Sequence, residues 1–322
     1  MTDILTIDNL EVQFHVWDRI YRAVDGISFS IPRSKSVALV GESGCGKTVT
    51  ALSVMRLLPR PQARVTAGQI LYDGNDLLKM PMSKFQKEYR GRKMGMIFQD
   101  PHSVLNPVIS IKTQIKEHVR YHLRLTNPQV ISKALEIFSL VNLREGEDIL
   151  SKYPHQLSGG QIQRLMIAMT LMTDPDLIIA DEPTTALDVT IQRQILELMV
   201  SLKEKREISY LLITHNLAIV HYLVDFVCIM YAGQIVENGP CTSIFTNPLH
   251  PYTQGLLDSV LTISRDTDKR IQGIQGMVPE ACDFPSGCRF HPRCHHKKNI
   301  CTRDNPPFFV KGGHSVRCWL YG

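Results

Sequence analysis

The sequence lacks an apolar run that could cross a membrane. Its most apolar stretch, residues 210–232, is interrupted by four polar side chains that are costly at membrane depth, namely His215, Asn216, His221 and Asp225. The first residues, MTDILTIDNLEVQF, lack the basic segment and the cleavage site of a secretory signal peptide. We therefore expect a cytosolic protein that contacts a membrane only through a partner.

The chain also lacks the compositional marks of unusual protein classes. Of its 322 residues 43% are apolar and 21% charged, with 20 glycines and 18 prolines, which excludes disordered, collagen-like and small disulfide-stapled proteins. The absence of repeats excludes a solenoid. The net charge of +5 does not imply a nucleic-acid partner. Length and composition therefore indicate an ordinary globular protein of about two domains.

Alternating strand and helix patterns predict an α/β core. Strands are predicted at residues 4–14, 27–31, 37–40, 94–98, 177–181 and 210–214, with a hairpin at 227–237. Helices are predicted at residues 49–58, 131–140, 161–172 and 189–205. The alternation after residue 177 indicates a parallel sheet. We expect a domain over residues 1–240, with a helical subdomain over about 100–172, and a tail over 241–322.

A glycine-rich loop follows the predicted strand 37–40. Residues 41–48, GESGCGKT, match G-x-x-x-x-G-K-[ST] between a strand and a helix. Converging backbone N–H groups can wrap a phosphate chain, Lys47 can reach the β- and γ-phosphates, and Thr48 can coordinate Mg²⁺. The residues predicted to bind nucleotide here are Gly41, Ser43, Gly44, Cys45, Gly46, Lys47 and Thr48.

Two adjacent carboxylates end the apolar strand at residues 177–181. Asp181 is suited to holding the water shell of Mg²⁺. Glu182 is suited to orienting or deprotonating the water that attacks the γ-phosphate. Next to a phosphate-binding loop, this pair predicts hydrolysis of a nucleoside triphosphate.

A second anion site is predicted at Leu157-Ser-Gly-Gly-Gln161, where a hydroxyl and bare backbone amides precede a helix that contains Arg164. The order of the motifs resembles that of ATP-binding-cassette (ABC) ATPases. The resemblance implies that two cassettes pack head to tail, so that Ser158 and Gly160 act on ATP held by the partner.

The same resemblance assigns further residues. Gln99 matches the Q-loop, which contacts Mg²⁺ or the attacking water, and residues 186–188 match the D-loop. His215 matches the switch histidine, which contacts the γ-phosphate. An aromatic side chain is expected to stack on adenine, and spacing from the loop favours Phe14 over Trp17 and Tyr21, although Phe14 is also suited to a plain core role.

Further segments resemble the branch that imports oligopeptides, dipeptides and nickel. They are Phe98-Gln-Asp-Pro, Asn106-Pro107, Tyr153-Pro-His-Gln, residues 180–190 and Asn247-Pro-Leu-His-Pro-Tyr-Thr253. Thr184-Thr185 resembles the first of the two ATPase subunits of such importers. The resemblance implies ATP and Mg²⁺ as cofactors and a peripheral position on the cytoplasmic face of the cell membrane. It also implies two permease subunits, a second ATPase and, indirectly, an extracytoplasmic binding protein.

Two other functions stay open. A nickel or metallophore importer would use the same ATPase, and soluble cassette ATPases act on ribosomes or DNA instead of transport. This chain carries one cassette and no sustained heptads, which favours transport over the soluble class.

Cysteines are concentrated in the tail, where five of the eight follow residue 280. Four of them can ligate zinc or a [4Fe-4S] cluster: Cys288, Cys294, Cys301 and Cys318. The spacing departs from C-x₂-C and resembles the iron–sulfur tail of peptide-importer ATPases, while the histidines at 291, 295 and 296 keep zinc as the alternative. The tail has too few apolar residues to fold by burial alone, so we expect ligation to supply the missing folding energy. The cysteines at 45, 228, 241 and 282 are expected not to be ligands.

Overall fold

A computed structural model of the protein describes residues 2–185, 187–260 and 273–322. The chain forms two compact units. The first unit contains residues 1–78 and 212–322, and the second contains residues 79–211. The predicted domain boundary near residue 240 stays a prediction.

An antiparallel sheet forms one layer of the first unit. Its strands, in the order β2-β1-β4-β5, are β1 (Asp3–Val16), β2 (Arg19–Pro32), β4 (Ala63–Tyr72) and β5 (Asn75–Asp76). Alternating apolar side chains of β1, including Leu5, Ile7, Leu10 and Val12, are buried. The strands expected at 4–14 and 27–31 are thus confirmed, with longer bounds.

A second sheet layer of the first unit leads to the predicted loop. Strand β3 (Ser36–Val40) is buried throughout and pairs in parallel with β9 (Phe226–Tyr231). Strand β9 forms the predicted hairpin with β10 (Gln234–Pro240), and β10 pairs with β12 (His314–Val316), which pairs with β11 (Phe309–Lys311). The helices of this unit are α1 (Lys47–Val54), α9 (Leu217–Leu223), α10 (Cys241–Thr246) and α11 (Pro251–Val260).

Helix α1 ends earlier than its apolar spacing predicts. The pattern extends to Leu58, whereas the helix ends at Val54. Arg56 adopts a positive φ of 52°, and the N–H of Leu57 donates to the carbonyl oxygen of Leu52. This is the left-handed ending that closes many helices, here with arginine in place of glycine.

The second unit combines a parallel strand pair with helices. Strand β6 (Met94–Ile97) pairs in parallel with β7 (Leu177–Asp181). Its helices are α2 (Met82–Glu88), α3 (Pro101–Val104), α4 (Ile111–His122), α5 (Asn127–Leu140), α6 (Gly146–Ser151), α7 (Gly159–Leu171) and α8 (Val189–Arg206). Strand β8 (Ser209–Thr214) contains the boundary of the two units. The expected α/β core and its helical region are confirmed.

The tail packs partly by burial, and the expectation that ligation supplies the rest of its folding energy stays a prediction. Leu249, Val316 and Cys318 form a small buried cluster against Phe309 and two further apolar side chains. The metal-binding tail itself is not confirmed. In the three described ranges, no three histidine, cysteine, aspartate or glutamate side chains are grouped so that they could hold a metal ion. Within the same ranges, no helix is long and apolar enough to span a membrane.

Candidate nucleotide site

The phosphate-binding loop (residues 41–48) joins β3 to α1, as its sequence predicts. Gly44 and Gly46 have positive φ angles of 81° and 109°. A Cβ atom on Gly41 would lie 2.1 Å from the carbonyl oxygen of Met230, and one on Gly46 would lie 2.3 Å from that of Ala23. These positions therefore require glycine, either for conformation or for close backbone approach.

Lys47 points back along the loop at the start of α1. Its side chain is buried, and its Nζ donates to the carbonyl oxygens of Gly41 at 2.7 Å and Glu42 at 3.0 Å. The thiol of Cys45 is buried beneath the loop, and this burial raises its pKa. Thr48 is exposed in the first turn of α1, and Ser43 is exposed on the loop.

His215 lies beside the same loop. It shares a cavity of about 350 Å³ with Gly41, Glu42 and Ser43. The other lining residues are Gly255, Leu256, Ser259 and Ile274. The first unit thus brings together the loop and the predicted switch histidine. The wall from α11 has no counterpart in the motifs, so the sequence did not reveal it.

The second unit brings Gln99 and Glu182 together. Nε2 of Gln99 donates to Oε2 of Glu182 at 3.0 Å, and the hydroxyl of Thr185 donates to the same oxygen at 3.0 Å. Asp181, at the carboxyl end of β7, is buried, and Glu182 follows with a positive φ of 46°. The carboxylate of Glu182 is therefore held by two donors. The role of Thr185 was missed, because Thr185 served only as a marker of the branch.

Ser158 is the N-cap of α7, as the signature sequence predicts. Its hydroxyl accepts from the N–H of Gln161 at 3.3 Å, and the side chain of Gln161 accepts from the N–H of Ser158 at 2.9 Å. This reciprocal capping box fixes the start of the helix. A Cβ on Gly160 would approach Ile191 to 3.1 Å, so glycine permits close packing of α7 on α8.

Two predicted assignments, the adenine stack and the D-loop, stay predictions. Phe14 is half-buried on β1, opposite Tyr21 on β2 and Ala63 on β4, and stacking on adenine stays a prediction. Of the predicted D-loop, residue 186 lies outside the described residues. The carboxylate of Asp188 accepts from the N–H of Ile191 at 3.0 Å and caps α8.

The four tail cysteines influence one another electrostatically. Burial, together with the charges of the three other cysteines, raises the pKa of Cys288 to about 11. Burial likewise raises the pKa of Cys294 and of Cys318. Backbone N–H groups oppose these shifts, since Phe290, His296 and Leu320 donate to the sulfurs of Cys288, Cys294 and Cys318.

The fourth sulfur also accepts a backbone hydrogen bond. Sγ of Cys301 lies 3.4 Å from the N–H of Lys298. The thiol of Cys282 instead donates to Oε2 of Glu280 at 3.5 Å. The other three cysteines lie in the phosphate-binding loop, in β9 and in α10, and all three are buried.

Comparison with known proteins places these features in a family. The model of the ABC transporter family matches residues 24–185, and that of the C-terminal region of oligopeptide/dipeptide transporters matches residues 236–301. The oligopeptide transport ATP-binding protein AppD of Bacillus subtilis is 44% identical over 100% of this chain and 98% of that protein. The dipeptide transport ATP-binding protein DppD of the same organism is 42% identical over 99% of this chain and 95% of that protein.

Solved structures agree on the fold. A dimeric ABC transporter cassette in a post-hydrolysis state, bound to ADP and Pi, superposes with a TM-score of 0.66. It is 23% identical and covers 74% of this chain and 98% of its own. The loop, the paired carboxylates and the capped signature helix thus occur within a fold shared with that cassette. The chain belongs to the ABC transporter family and carries the C-terminal region of its oligopeptide and dipeptide transporters.

Proposed function

We propose that the chain is the ATP-hydrolysing subunit of an importer that takes up oligopeptides or dipeptides. The observation that carries the proposal is the carboxylate of Glu182, held by Gln99 and Thr185 immediately after the buried Asp181. A carboxylate fixed at this point of a P-loop fold is suited to water activation. The C-terminal match and the two Bacillus subtilis relatives support peptides as the cargo.

Each predicted residue has a chemical role in this proposal. The backbone N–H groups of the loop and the ammonium of Lys47 bind the phosphates. Thr48, Gln99 and Asp181 would hold Mg²⁺, whose charge would offset that of the phosphate oxygens. Glu182 orients the attacking water and accepts its proton, and His215 contacts the γ-phosphate. Phe14 stacks on adenine.

Replacement of Glu182 tests the hydrolytic role. The Glu182→Gln variant should keep its affinity for ATP and lose hydrolysis by a factor on the order of 10² or more, because an amide is not a general base. Glu197→Gln makes the same change at an exposed site on α8 and should hydrolyse ATP like the wild type. Normal turnover by the assembled Glu182→Gln transporter would refute the assignment.

We propose further that a second, homologous ATPase completes the site. Ser158 and Gly160 would then close on ATP bound by that partner, while two permease subunits hold both ATPases at the cytoplasmic face of the membrane. Closure needs γ-phosphate contacts from both subunits, so ATP favours the closed pair and hydrolysis releases it. Purification of this chain only as a homodimer with its permeases would contradict the heterodimer.

The cargo is tested by uptake. A strain that lacks this gene should lose uptake of labelled di- or oligopeptides and keep uptake of nickel. The reverse result would show a nickel or metallophore importer, and normal uptake of all of them would favour a soluble ATPase without a transport role.

The four tail cysteines are proposed ligands of a [4Fe-4S] cluster. The donor set fits, because the charges of the four cysteines influence one another and backbone N–H groups favour the thiolates of Cys288, Cys294 and Cys318. In the described geometry they are not grouped as a metal site, so ligation would require the sulfurs to move closer together. A bound cluster or zinc would add binding free energy to the folding of the tail.

Metal analysis tests the cluster. Protein purified without oxygen should be brown and contain about four iron and four labile sulfide per chain. Stoichiometric zinc without iron would identify the alternative metal. Iron content that is unchanged in Cys301→Ser would remove that residue from the ligand set, and Cys282→Ser serves as the control that should retain iron.

A further inference from the structure

An arginine of the tail forms a two-point ion pair with the phosphate-binding loop. Nη1 of Arg293 lies 2.7 Å from Oε2 of Glu42, and Nη2 lies 3.0 Å from Oε1. The side chain of Arg293 is 5% exposed and that of Glu42 is 30% exposed. Bidentate pairs of this kind are geometrically specific and stronger than neutral hydrogen bonds.

The guanidinium of Arg293 is itself held rigidly by the first unit. Its Nε donates to the carbonyl oxygen of Gln275 at 2.9 Å, and its Nη2 donates to that of Ile274 at 3.3 Å. Its central carbon lies 5.7 Å from the ring centre of Tyr231 and 6.0 Å from that of Phe290. The arginine is thus a fixed support and not a mobile surface side chain.

Glu42 connects this support to the lysine that binds phosphate. Its N–H donates to the hydroxyl of Tyr252 at 2.9 Å, and its carbonyl oxygen accepts from Nζ of Lys47 at 3.0 Å. One loop residue is therefore held at its carboxylate, its amide and its carbonyl. Two of these partners, Tyr252 and Arg293, belong to the C-terminal region of residues 236–301.

Arg293 also neutralises the negative charge of Glu42. Glu42 belongs to the phosphate-binding loop and lines the same cavity as Gly41, Ser43 and His215, so it brings a negative charge to the loop proposed to bind phosphate. An unpaired carboxylate there would repel a triphosphate, and the guanidinium of Arg293 neutralises it. Arg293 therefore acts on the loop both through geometry and through charge.

We propose that Arg293 is a positioning residue for nucleotide binding: it holds the phosphate-binding loop through Glu42 and cancels the charge of that carboxylate. The proposal rests on the proposed nucleotide site in residues 41–48. It assigns the C-terminal region a direct part in the affinity for ATP.

The test is a double-mutant cycle in the full-length chain, with Mg-ATP titrated by calorimetry. Arg293→Gln should weaken ATP binding about tenfold, because it frees the loop and leaves Glu42 unpaired. Glu42→Gln should weaken binding less, since it removes the repulsive charge together with the pair. The double variant should bind like Glu42→Gln alone, which is a rescue of the Arg293→Gln defect.

Steady-state kinetics separate a positioning role of Arg293 in nucleotide binding from a purely structural role. Under the proposal, KM for ATP rises in Arg293→Gln by the same factor as Kd while kcat is kept. Arg293→Lys retains the charge without the two-point fork and should give an intermediate Kd. Arg317→Gln removes another guanidinium of the tail, one that stacks on Phe308, and should bind ATP like the wild type.

Two results separate the failure of this inference from failure of the nucleotide site. Lys47→Ala should lose ATP binding, and wild-type binding by Lys47→Ala would refute the site itself. If Lys47→Ala fails to bind but Arg293→Gln and Arg293→Lys bind like the wild type, the positioning role is wrong. Additive losses in the cycle would overturn it as well, because they would show that Arg293 and Glu42 act independently.

Discussion

At the scale of single residues, Glu182 combines an unfavourable backbone conformation with a well-held side chain. A positive φ costs a residue with a side chain about 1 kcal/mol. Its carboxylate accepts two hydrogen bonds, from Gln99 and from Thr185. These contacts offset the cost of the backbone conformation and aim the proposed base.

His250 is a second residue whose surroundings control its chemistry. It is 1% exposed, its Nδ1 accepts from the N–H of Tyr252 at 3.0 Å, and burial lowers its pKa to about 3. The unfolded chain takes up a proton near pH 6.5, whereas the folded protein does so only near pH 3. The neutral imidazole therefore makes the folded state lose stability as pH falls through this range.

Replacement of His250 should change the pH dependence of stability. His250→Asn keeps an acceptor for the N–H of Tyr252 and cannot be protonated. Below pH 6.5 this group should lower the free energy of unfolding of the wild type by about 1.4 kcal/mol per pH unit. The difference in unfolding free energy between the wild type and His250→Asn should therefore shift against the wild type by about 2 kcal/mol between pH 7 and pH 5. Urea unfolding at both pH values measures this difference in unfolding free energy, and a difference independent of pH would contradict the prediction.

At the scale of elements, the phosphate-binding loop and the signature helix each depend on one kind of residue. The loop needs glycine where a side chain has no space, and the helix needs an N-cap side chain. Gly41 is pressed against β9, whereas a Cβ on Gly44 would meet no atom within 4 Å. The N-terminus of α7 depends on the hydroxyl of Ser158. Each feature permits a matched pair of variants.

The two loop glycines should respond differently to alanine. Gly41→Ala places a methyl group 2.1 Å from the carbonyl oxygen of Met230, so the loop must move and ATP binding should fall at least tenfold. Gly44→Ala meets open space and should cost only the left-handed conformation, about 1 kcal/mol of unfolding free energy. Thermal unfolding and ATP titration measure both, and equal ATP affinities would contradict the steric argument.

Ser158 allows capping to be separated from its proposed action on the partner's ATP. Ser158→Ala should lose the cap and about 1 kcal/mol of unfolding free energy. Ser158→Asp keeps a capping oxygen, so its stability should stay near that of the wild type. Its negative charge would face the partner's phosphates, so ATPase activity of the assembled transporter should be lost. Normal turnover by Ser158→Asp would refute the action in trans.

At the scale of the whole molecule, one buried carboxylate connects the sheet to distant parts of the C-terminal region. Oε1 of Glu237 on β10 accepts from the N–H of Leu249 at 2.8 Å and pairs with Nε2 of His314 at 3.0 Å. Oε2 accepts from the N–H of His250 at 2.9 Å. Two segments, residues 249–250 and β12, are thus held to β10 by one side chain that is fully buried.

Removal of this charge should loosen the C-terminal region. Glu237→Gln points an amide donor at an N–H group, which leaves a buried donor unsatisfied and should cost about 2 kcal/mol or more of unfolding free energy. Denaturant unfolding measures the loss. Glu204→Gln, at an exposed site on α8, is the matched control and should be neutral. Wild-type stability of Glu237→Gln would show that the carboxylate is not essential.

Local patterns allowed much of the fold and site to be predicted. Strands β3, β7 and β8 are short apolar runs next to recognisable motifs. The strand β4 was missed, because Gly68 and polar residues interrupt its alternation. Helices α10 and α11 and the hairpin of β11 and β12 are short and lie among prolines and glycines. Their formation depends on contacts that are distant in sequence.

The sequence by itself determined the chemistry of this protein, because the phosphate-binding loop, the paired carboxylates and the signature helix are local motifs. Only the tertiary structure decided what supports that chemistry. Arg293 and Glu42 are 251 residues apart, and Tyr252 and Glu42 are 210 apart, so no periodicity or spacing relates them. The physical reason is that a hydrogen bond depends on distance in space, which the fold sets, and not on distance along the chain.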